Sequence, residues 1–143
     1  MAQLQNYHTD KVLASWQNVN ITGYANDTFI EVERNEDSFT LYVGSLGEGC
    51  RTKNLNRSGK ITITLMASSP INDLLAQAAQ TDEDSGLDYG PLSITDLNGN
   101  MVCFAAEAWV MKRPKIERAK EAGTVQWVFE AVVLELFEGG NVI

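Results

Sequence analysis

The residue types that most often carry catalysis are scarce in this sequence. Glu31 and Glu33 form the clearest pair of carboxylates, one residue apart in a stretch that alternates apolar and polar side chains. A glycosidase uses two such acids, but one of them has to be buried so that its pKa is raised. With threonine and arginine around them, these glutamates are expected to be solvated. We therefore assign them to a polar strand face rather than to a catalytic pair.

Histidine, glycine and cysteine motifs give no stronger signal for chemistry. His8, the single histidine, lies near the start of the chain, where a general base would lack the neighbours that tune its pKa. Residues 44–49 are as rich in glycine as a phosphate-binding loop but lack its lysine and following helix. Cys50 and Cys103 are too few for a disulfide scaffold, and no Cys/His cluster has zinc spacing. We expect no catalytic residue, no cofactor and no metal.

Length and charge exclude further classes of protein. The chain has 143 residues, which suits one domain over residues 1–143. Its formal net charge is −8, from 19 acidic and 11 basic residues, which argues against nucleic-acid binding and against a basic membrane-binding patch. No apolar run approaches the ~18 residues of a membrane span, and residues 1–10 do not resemble a secretory signal. We expect a soluble protein with two reduced thiols, made in a cytoplasm.

Period-two alternation predicts most of the chain as strands. Residues 28–35 and 38–45 flank a short polar turn and predict a β-hairpin. An earlier strand is expected within residues 12–24, and residues 60–66 alternate cleanly. Between them, residues 44–59 contain four glycines and are predicted to be a long loop.

One helix is predicted, beginning at Ser69-Pro70. Serine is a favoured N-cap, and proline in the first turn leaves no N–H unpaired. The apolar residues that follow lie at helical spacing on one stripe: Ile71, Leu74, Leu75, Ala78 and Ala79. The helix is expected to end near Gln80, and the acidic residues 81–90 are predicted to form a solvated loop.

The remaining elements complete a mainly β fold. A short strand over residues 92–96, the turn Asn98-Gly99 and long apolar runs over 101–111 and 124–137 are predicted. One helix among so many strands argues against βαβ units. We predict two packed antiparallel sheets, a sandwich or partly closed barrel, with one flanking α-helix.

The two long apolar runs suggest that other chains cover part of the sheet. In the second run, one side holds Val125, Trp127, Phe129, Ala131 and Val133, and the other holds Val128, Val132 and Leu134. Strands that are apolar on both sides must be covered on both sides. A neighbouring subunit could supply the cover, but burial within a single domain would give the same pattern.

Other strands have one polar face. These faces hold Glu31 with Glu33, Thr62 with Thr64, and Gln126 with Glu130. Such faces suit the wall of a wide aqueous channel, in which interior positions are polar. Exposure to bulk solvent would explain them equally well.

In the order of these features, the sequence resembles the tail tube proteins of contractile-tailed bacteriophages. The resemblance covers about three-quarters of the chain. It rests on residues 29–45, the strand 59–65, the helix start Ser69-Pro70-Ile71-Asn72, the turn 95–99 and the pattern over 108–129. Its most specific piece is the Ser-Pro-x-Asn helix start after a β-branched strand.

The resemblance implies an assembly. Such proteins form hexameric rings that stack into a tube, and strands from six subunits close one inner barrel through which DNA and the tape measure protein pass without specific binding. The fold is similar to that of the type VI secretion tube protein. Tail sheath and baseplate proteins are the further expected partners, no membrane is involved, and the expected location is the virion tail, assembled in the host cytoplasm.

Two sets of candidate residues follow from this resemblance. An acidic lumen would repel DNA, and the candidate lumen-facing residues are Glu31, Glu33, Thr62, Thr64, Gln126 and Glu130. Basic residues of the predicted loop could meet acidic residues of a neighbouring ring. The candidate inter-ring residues are Arg51, Lys53, Arg57, Asp82, Glu83 and Asp84.

Other functions stay open from sequence alone. A monomeric β-barrel that binds a small apolar ligand would need a closed cavity. A tail terminator or a secretion-system tube subunit would share the predicted fold. An enzyme is the least favoured alternative, because bases and nucleophiles are so few.

Overall fold

The computed structural model describes residues 11–26, 28–117, 119–120 and 123–141. Ten β-strands and one α-helix lie within these residues, so the predicted mainly β class with one helix is confirmed. In chain order they are β1 (Val12–Trp16), β2 (Val19–Ile21), β3 (Ile30–Arg34), β4 (Phe39–Val43), β5 (Gly49–Lys53), β6 (Gly59–Met66), α1 (Ile71–Ser85), β7 (Gly90–Asp96), β8 (Gly99–Lys112), β9 (Thr124–Ala131) and β10 (Glu135–Asn141).

All strand pairs are antiparallel and form two sheets. Eight strands form one sheet in the order β2-β1-β7-β8-β9-β6-β3, with β10 also paired to β8. The other two, β4 and β5, pair only with each other. β8 joins the halves of the large sheet, because the edge opposite β7 pairs with β10 along the first half of β8 and with β9 along the second half.

The large sheet folds over itself into two layers. Neighbouring strands lie about 4.8 Å apart, so a flat sheet would hold β1 and β9 about 14 Å from each other. Instead, the rings of Trp16 on β1 and Phe129 on β9 meet edge to face with centroids 5.0 Å apart. The indole Nε1 of Trp16 also donates a 3.1 Å hydrogen bond to the carbonyl of Ala108 on β8. The core lies between these layers.

Strand β6 shows why the layers form. Ile61, Ile63 and Leu65 are fully buried, whereas Lys60 is exposed and Thr62 is half-buried. Burying one such side chain stabilises the fold by roughly 1.5–3 kcal/mol. Because side chains alternate along a strand, only one register of β6 puts all three in the core.

The helix begins at Ile71 with Pro70 at its N-cap, one residue after the predicted N-cap Ser69, and it ends at Ser85, five residues beyond the predicted end. Ser69 Oγ donates to the Thr22 carbonyl at 2.8 Å and accepts from the Ile71 N–H at 3.4 Å. Its C-cap is Gly86, which has a φ of 71° and donates its N–H to the Asp82 carbonyl at 2.7 Å. Glycine tolerates this left-handed geometry, and the acidic stretch before it is helical rather than a loop.

The predicted hairpin over residues 28–45 is wrong. β3 pairs with β6, Ile30 opposite Ile63, and β4 pairs with β5, Phe39 opposite Lys53. Period-two alternation shows which side chains share a face, but it does not show which strand lies alongside. Ile30 and Val32 pack against the core beside β6, and this burial decides the pairing.

Two other boundaries also differ. Part of the loop predicted over residues 44–59 is strand β5, which returns along β4 after a turn at residues 44–48. The long run 124–137 is divided between β9 and β10, because residues 132–134 break the ladder. The strand predicted within 12–24 is a hairpin of β1 and β2, with Gln17 and Asn18 at positive φ in its turn.

Candidate functional site

The six candidate lumen residues share one sheet face. In the antiparallel register Glu31 lies opposite Thr62, and Thr64 lies opposite Gln126. Glu33 and Glu130 flank Lys60 on either side. We call this surface of β3, β6 and β9 the polar face; its members are Glu31, Glu33, Lys60, Thr62, Thr64, Gln126, Val128 and Glu130.

The polar face lies directly behind the core. On β9 the buried residues Trp127 and Phe129 alternate with Gln126 and Glu130 of the polar face. Glu31 and Glu33 are exposed to solvent, so they lack the buried surroundings that a general acid requires. The arrangement is a water-facing wall supported by packed side chains.

Two lysines and a tryptophan of this wall were not predicted from sequence. Lys60 follows from the same alternation that places Thr62 and Thr64, so the sequence contained its signal. Trp109 and Lys112 on β8 lie opposite Glu130 and Val128. The register shift between Val110 and Lys112 decides the side of Lys112, and alternation alone does not reveal it. The wall is therefore mixed in charge, with three glutamates and two lysines.

Both ends of this wall are free strand edges. β3 is the last strand of the sheet order, and in the described chain only β6 pairs with it. Thr64 donates its N–H to the Phe29 carbonyl, and Asn35 donates its N–H to the Ser58 carbonyl. In an antiparallel ladder, every second residue of a strand bonds to the partner strand. Phe29 and Asn35 are bonded, so the residues between them that bond to β6 are Glu31 and Glu33. The backbone groups of Val32 therefore point to the free edge. At the opposite end, β8 beyond Ala108 pairs with β9 alone among the described strands.

The hairpin of β4 and β5, which we call the arm, stands away from the large sheet. All ten residues of its two strands are exposed. Side-chain amides hold its base: Asn54 Nδ2 donates to the Asp37 carbonyl at 3.0 Å, and Asn56 Nδ2 donates to the Glu36 carboxylate. An isolated two-stranded hairpin is only marginally stable in water. The exposed arm is thus typical of an element that another chain covers.

The candidate inter-ring residues occupy two separate places. Arg51 and Lys53 lie on the arm, Arg57 follows it, and the three acids lie in the last turns of α1. Glu83 pairs with Arg113 of its own chain, with 3.4 Å between Oε2 and Nη1. Within the described part of one chain, no hydrogen bond or ion pair joins the basic set to the acidic set.

A second exposed surface is apolar. Leu13, Val102, Phe104 and Phe137 project from the outer side of β1, β8 and β10, while their strand neighbours Ala14, Cys103 and Leu136 face inward. The four outer side chains are between 41% and 62% exposed. We call them the outer patch. The β8 run was predicted to be apolar on both faces, and its outer face stays partly exposed in the single chain.

A groove between α1 and the β1–β2 hairpin bears on the ligand-binding alternative. Its volume is about 310 Å³, and its lining includes Trp16, Ile21 and Leu75 together with Gln17 and Asp88. The groove opens to solvent, whereas a barrel that binds a small apolar ligand would need a closed cavity.

Reactive groups are few in the described part of the chain. Burial raises the pKa of the Cys103 thiol to about 11, and Cys50 is exposed. No group of three or more histidine, cysteine, aspartate or glutamate side chains there could hold a metal ion. No helix there combines the length and apolar character needed to cross a membrane. His8 lies outside the described residues.

Comparison with known families shows which family this chain belongs to. Residues 12–139 match the family model described as the bacteriophage PhiTE tail tube protein. The chain belongs to this family. It is a structural protein of a phage tail, and the resemblance noted in the sequence is confirmed.

A relative of this chain is likewise a structural protein of a phage. The structural protein ORF10 of Pseudomonas phage KPP10 is 29% identical over 123 residues, which cover 85% of this chain and 71% of the relative. The match therefore includes most of both proteins.

Solved structures of contractile injection systems have the same fold. The tube-terminating cap of the anti-feeding prophage matches with a TM-score of 0.58 and 11% identity over 96% of this chain and 94% of that one. The sheath/tube terminator of the PVC extracellular contractile injection system matches with a TM-score of 0.59 and 12% identity over 95% and 99%. The PVC sheath–tube complex gives 0.58 and 10% over 96% and 93%. At these identities, the likeness concerns the fold.

Proposed function

We propose that this tail tube protein forms hexameric rings that stack into a tube, with the polar face lining the lumen. The observation that carries the proposal is the polar face on β3, β6 and β9, which is backed by the core. With the second half of β8 it forms one wall that ends in a free strand edge on each side. Family membership supports the tube, and the free edges support closure by further copies.

The free edges suggest how neighbouring copies join. The wall contains four strands, β8, β9, β6 and β3, each antiparallel to the next. Since four is even, β3 of one copy runs opposite to β8 of the next copy, and the antiparallel pattern can continue around a ring. Pairing the two edges would satisfy backbone groups that one chain leaves open, including those of Val32.

The charge of the wall suits a conduit for DNA. Glu31, Glu33 and Glu130 outnumber Lys60 and Lys112, so a ring of copies presents net negative charge to the lumen. Like charge repels the phosphate backbone, and the effect is confined to about 8 Å from the wall at physiological salt. DNA and the tape measure protein would pass without specific binding.

Contacts between stacked rings are assigned to two projecting regions. The arm is exposed and carries Arg51 and Lys53, and Arg57 follows it. The last turns of α1 carry Asp82, Glu83 and Asp84. The arm follows β3 along the chain, and Glu83 at the helix end pairs with Arg113, the residue after β8.

A structural role fits the scarcity of catalytic groupings among the described residues. We infer that residues 1–143 act as one tail-tube domain, without enzymatic activity or a cofactor. Exposure of Glu31 and Glu33 supports this inference, since neither lies in the buried surroundings that a general acid requires. Sheath and baseplate proteins are the further proposed partners in the virion, and the host cytoplasm is the proposed place of assembly.

Negative-stain electron microscopy of the purified protein tests the proposal directly. We expect sixfold rings or hollow rods whose abundance rises with protein concentration. The contrary result is a protein that stays single at every concentration and is absent from the tube of the phage particle.

A tube terminator is the second candidate function, because two of the matching structures are described as terminators. A terminator forms the end of a tube and would occur in few copies, whereas a tube subunit recurs along its length. Quantitative mass spectrometry of purified virions separates the two. A copy number comparable to that of the sheath protein supports the tube subunit, and a single ring per particle supports the terminator.

A further inference from the structure

The arm has one apolar face that its own chain leaves uncovered. Phe39, Leu41 and Val43 alternate along β4, and their cross-strand partners on β5 include Lys53 and Arg51. Leu41 is 70% exposed, and the Arg51 guanidinium lies 4.1 Å from the centroid of the Phe39 ring. This face of the two-stranded arm is therefore an apolar surface with two positive charges.

The outer patch has the complementary character. Leu13 and Val102 both lie opposite Thr95, and Val102 lies opposite Phe137, so these side chains form one row across four strands. Phe104 occupies the next row, with Glu135 directly opposite.

The charge around the patch is negative near Phe104. Glu107 is exposed three residues further along β8, at the register shift that separates the pairings of Leu92 and Gly90. Glu135 therefore lies directly across the strand pair from Phe104, and Glu107 is a second exposed acid further along β8. Exposed apolar surfaces with polar or charged residues at their rim often mark sites of protein–protein contact.

We propose that the apolar face of the arm packs on the outer patch of a second copy of this chain, so that each copy gives one arm and receives another. The inference rests on the proposed function, since a tube places copies at fixed positions next to each other. Two β-sheet surfaces pack face to face at about 10 Å, which suits a hairpin lying on a sheet. Arg51 and Lys53 of the arm then meet Glu135 and Glu107 of the receiving copy.

The separation of the two surfaces determines the kind of assembly. The arm and the outer patch are different parts of the chain, so their contact is head to tail and propagates as a ring or a filament. The receiving surface in this proposal is the outer patch and not the acidic end of α1. The helix end, which includes Asp84, therefore serves in the experiment as the other possible receiving surface for the arm.

Crosslinking tests which surface receives the arm. In a Cys50→Ser background, Leu41→Cys is combined either with Phe104→Cys or with Asp84→Cys, and all of these positions are exposed. After assembly is checked by microscopy, a short bismaleimide is added. We expect a ladder of covalent multimers from the Phe104→Cys pair and at least tenfold less from the Asp84→Cys pair. Intact tubes that give no ladder, or an equal or stronger ladder from the Asp84→Cys pair, overturn the docking.

Charge exchange provides a second measurement. Arg51→Glu and Glu135→Arg should each raise the concentration required for assembly about tenfold, and the double variant should return it close to that of the unmodified protein. Circular dichroism checks that each variant folds. Single variants that assemble normally, or a double variant no better than either single, contradict the docking while leaving the proposed tube intact. Failure of the unmodified protein to assemble contradicts both.

Discussion

At the scale of single residues, Cys103 shows how completely the core excludes water. Its thiol lies on β8 among Ile94, Leu136 and other core side chains, and none of its surface is exposed. Burial disfavours the charged thiolate, which is why the pKa rises from its ordinary value of 9.0 to about 11. Since only the thiolate is a good nucleophile, this cysteine is inert in the folded protein.

A pH-dependent stability follows from that shift. Below pH 9 the thiol is neutral in both the folded and the unfolded chain, and its contribution to stability is constant. Between pH 9 and 11 only the unfolded chain ionises, so stability falls as the pH rises. In a Cys50→Ser background, we expect the free energy of unfolding of the Cys103-containing protein, relative to Cys103→Ala, to fall by about 1–2 kcal/mol over this range.

Urea denaturation of both proteins between pH 7 and 11 measures this difference. Data from pH 7 to 8 serve as the control, because the difference should not change there. A difference that stays constant up to pH 11 would contradict the assigned burial.

At the scale of secondary-structure elements, the free edge of β3 is the feature on which ring closure depends. The ladder with β6 uses the backbone groups of Glu31 and Glu33, while those of Val32 point away from it. The side chain of Val32 is half-buried against the core. Its backbone and its side chain can therefore be tested separately.

Val32→Pro removes an N–H that takes no part in the ladder of its own chain. We expect the monomer to stay folded, with a melting temperature lowered by roughly 4 °C, and rings to be lost because the edge can no longer donate. Val32→Thr is the matched control, since it keeps both the N–H and the β-branched shape. Analytical ultracentrifugation measures assembly. If the Val32→Pro variant forms rings at the same protein concentration as the unmodified protein, this edge is not part of the interface.

At the scale of the whole molecule, opposite surfaces have opposite properties. The polar face carries Glu31, Glu33 and Lys60 in front of the core, and the outer patch exposes aromatic and aliphatic side chains on the other layer. One surface of the subunit is polar and suits contact with water, and another is apolar and suits contact with protein. Such a subunit can form a wall between an aqueous lumen and neighbouring proteins.

Reversing charge on the polar face tests the conduit without disturbing the fold. The double variant Glu31→Lys with Glu33→Lys should leave ring formation intact, because both side chains are exposed. In the phage, we expect DNA delivery to fall roughly tenfold, since lysines in the lumen would attract the phosphate backbone.

A control with the same charge change is Asp73→Lys with Glu117→Lys, two exposed positions away from the polar face and from the arm. Infectivity and DNA release are measured for both variants. If the two variants are equally infective, the assignment of Glu31 and Glu33 to the lumen is wrong.

Alternation in the sequence was enough to determine the class of fold and the sharing of faces. Thr62 and Thr64 could be assigned to one side of a strand, and the Ser69-Pro70 helix start could be located, because side-chain direction and helix capping depend on neighbouring residues. The family could also be recognised from the order of such local features, as the match over residues 12–139 confirms.

Only the tertiary structure decided which strands pair and which surfaces stay open. The pairing of β3 with β6 rather than β4, the side taken by Lys112, and the exposure of Phe104 all depend on contacts between residues far apart in the chain. The pairing that forms is the one that buries the most apolar area in the whole molecule. Because that area depends on residues from many elements, no single stretch of sequence predicts the pairing.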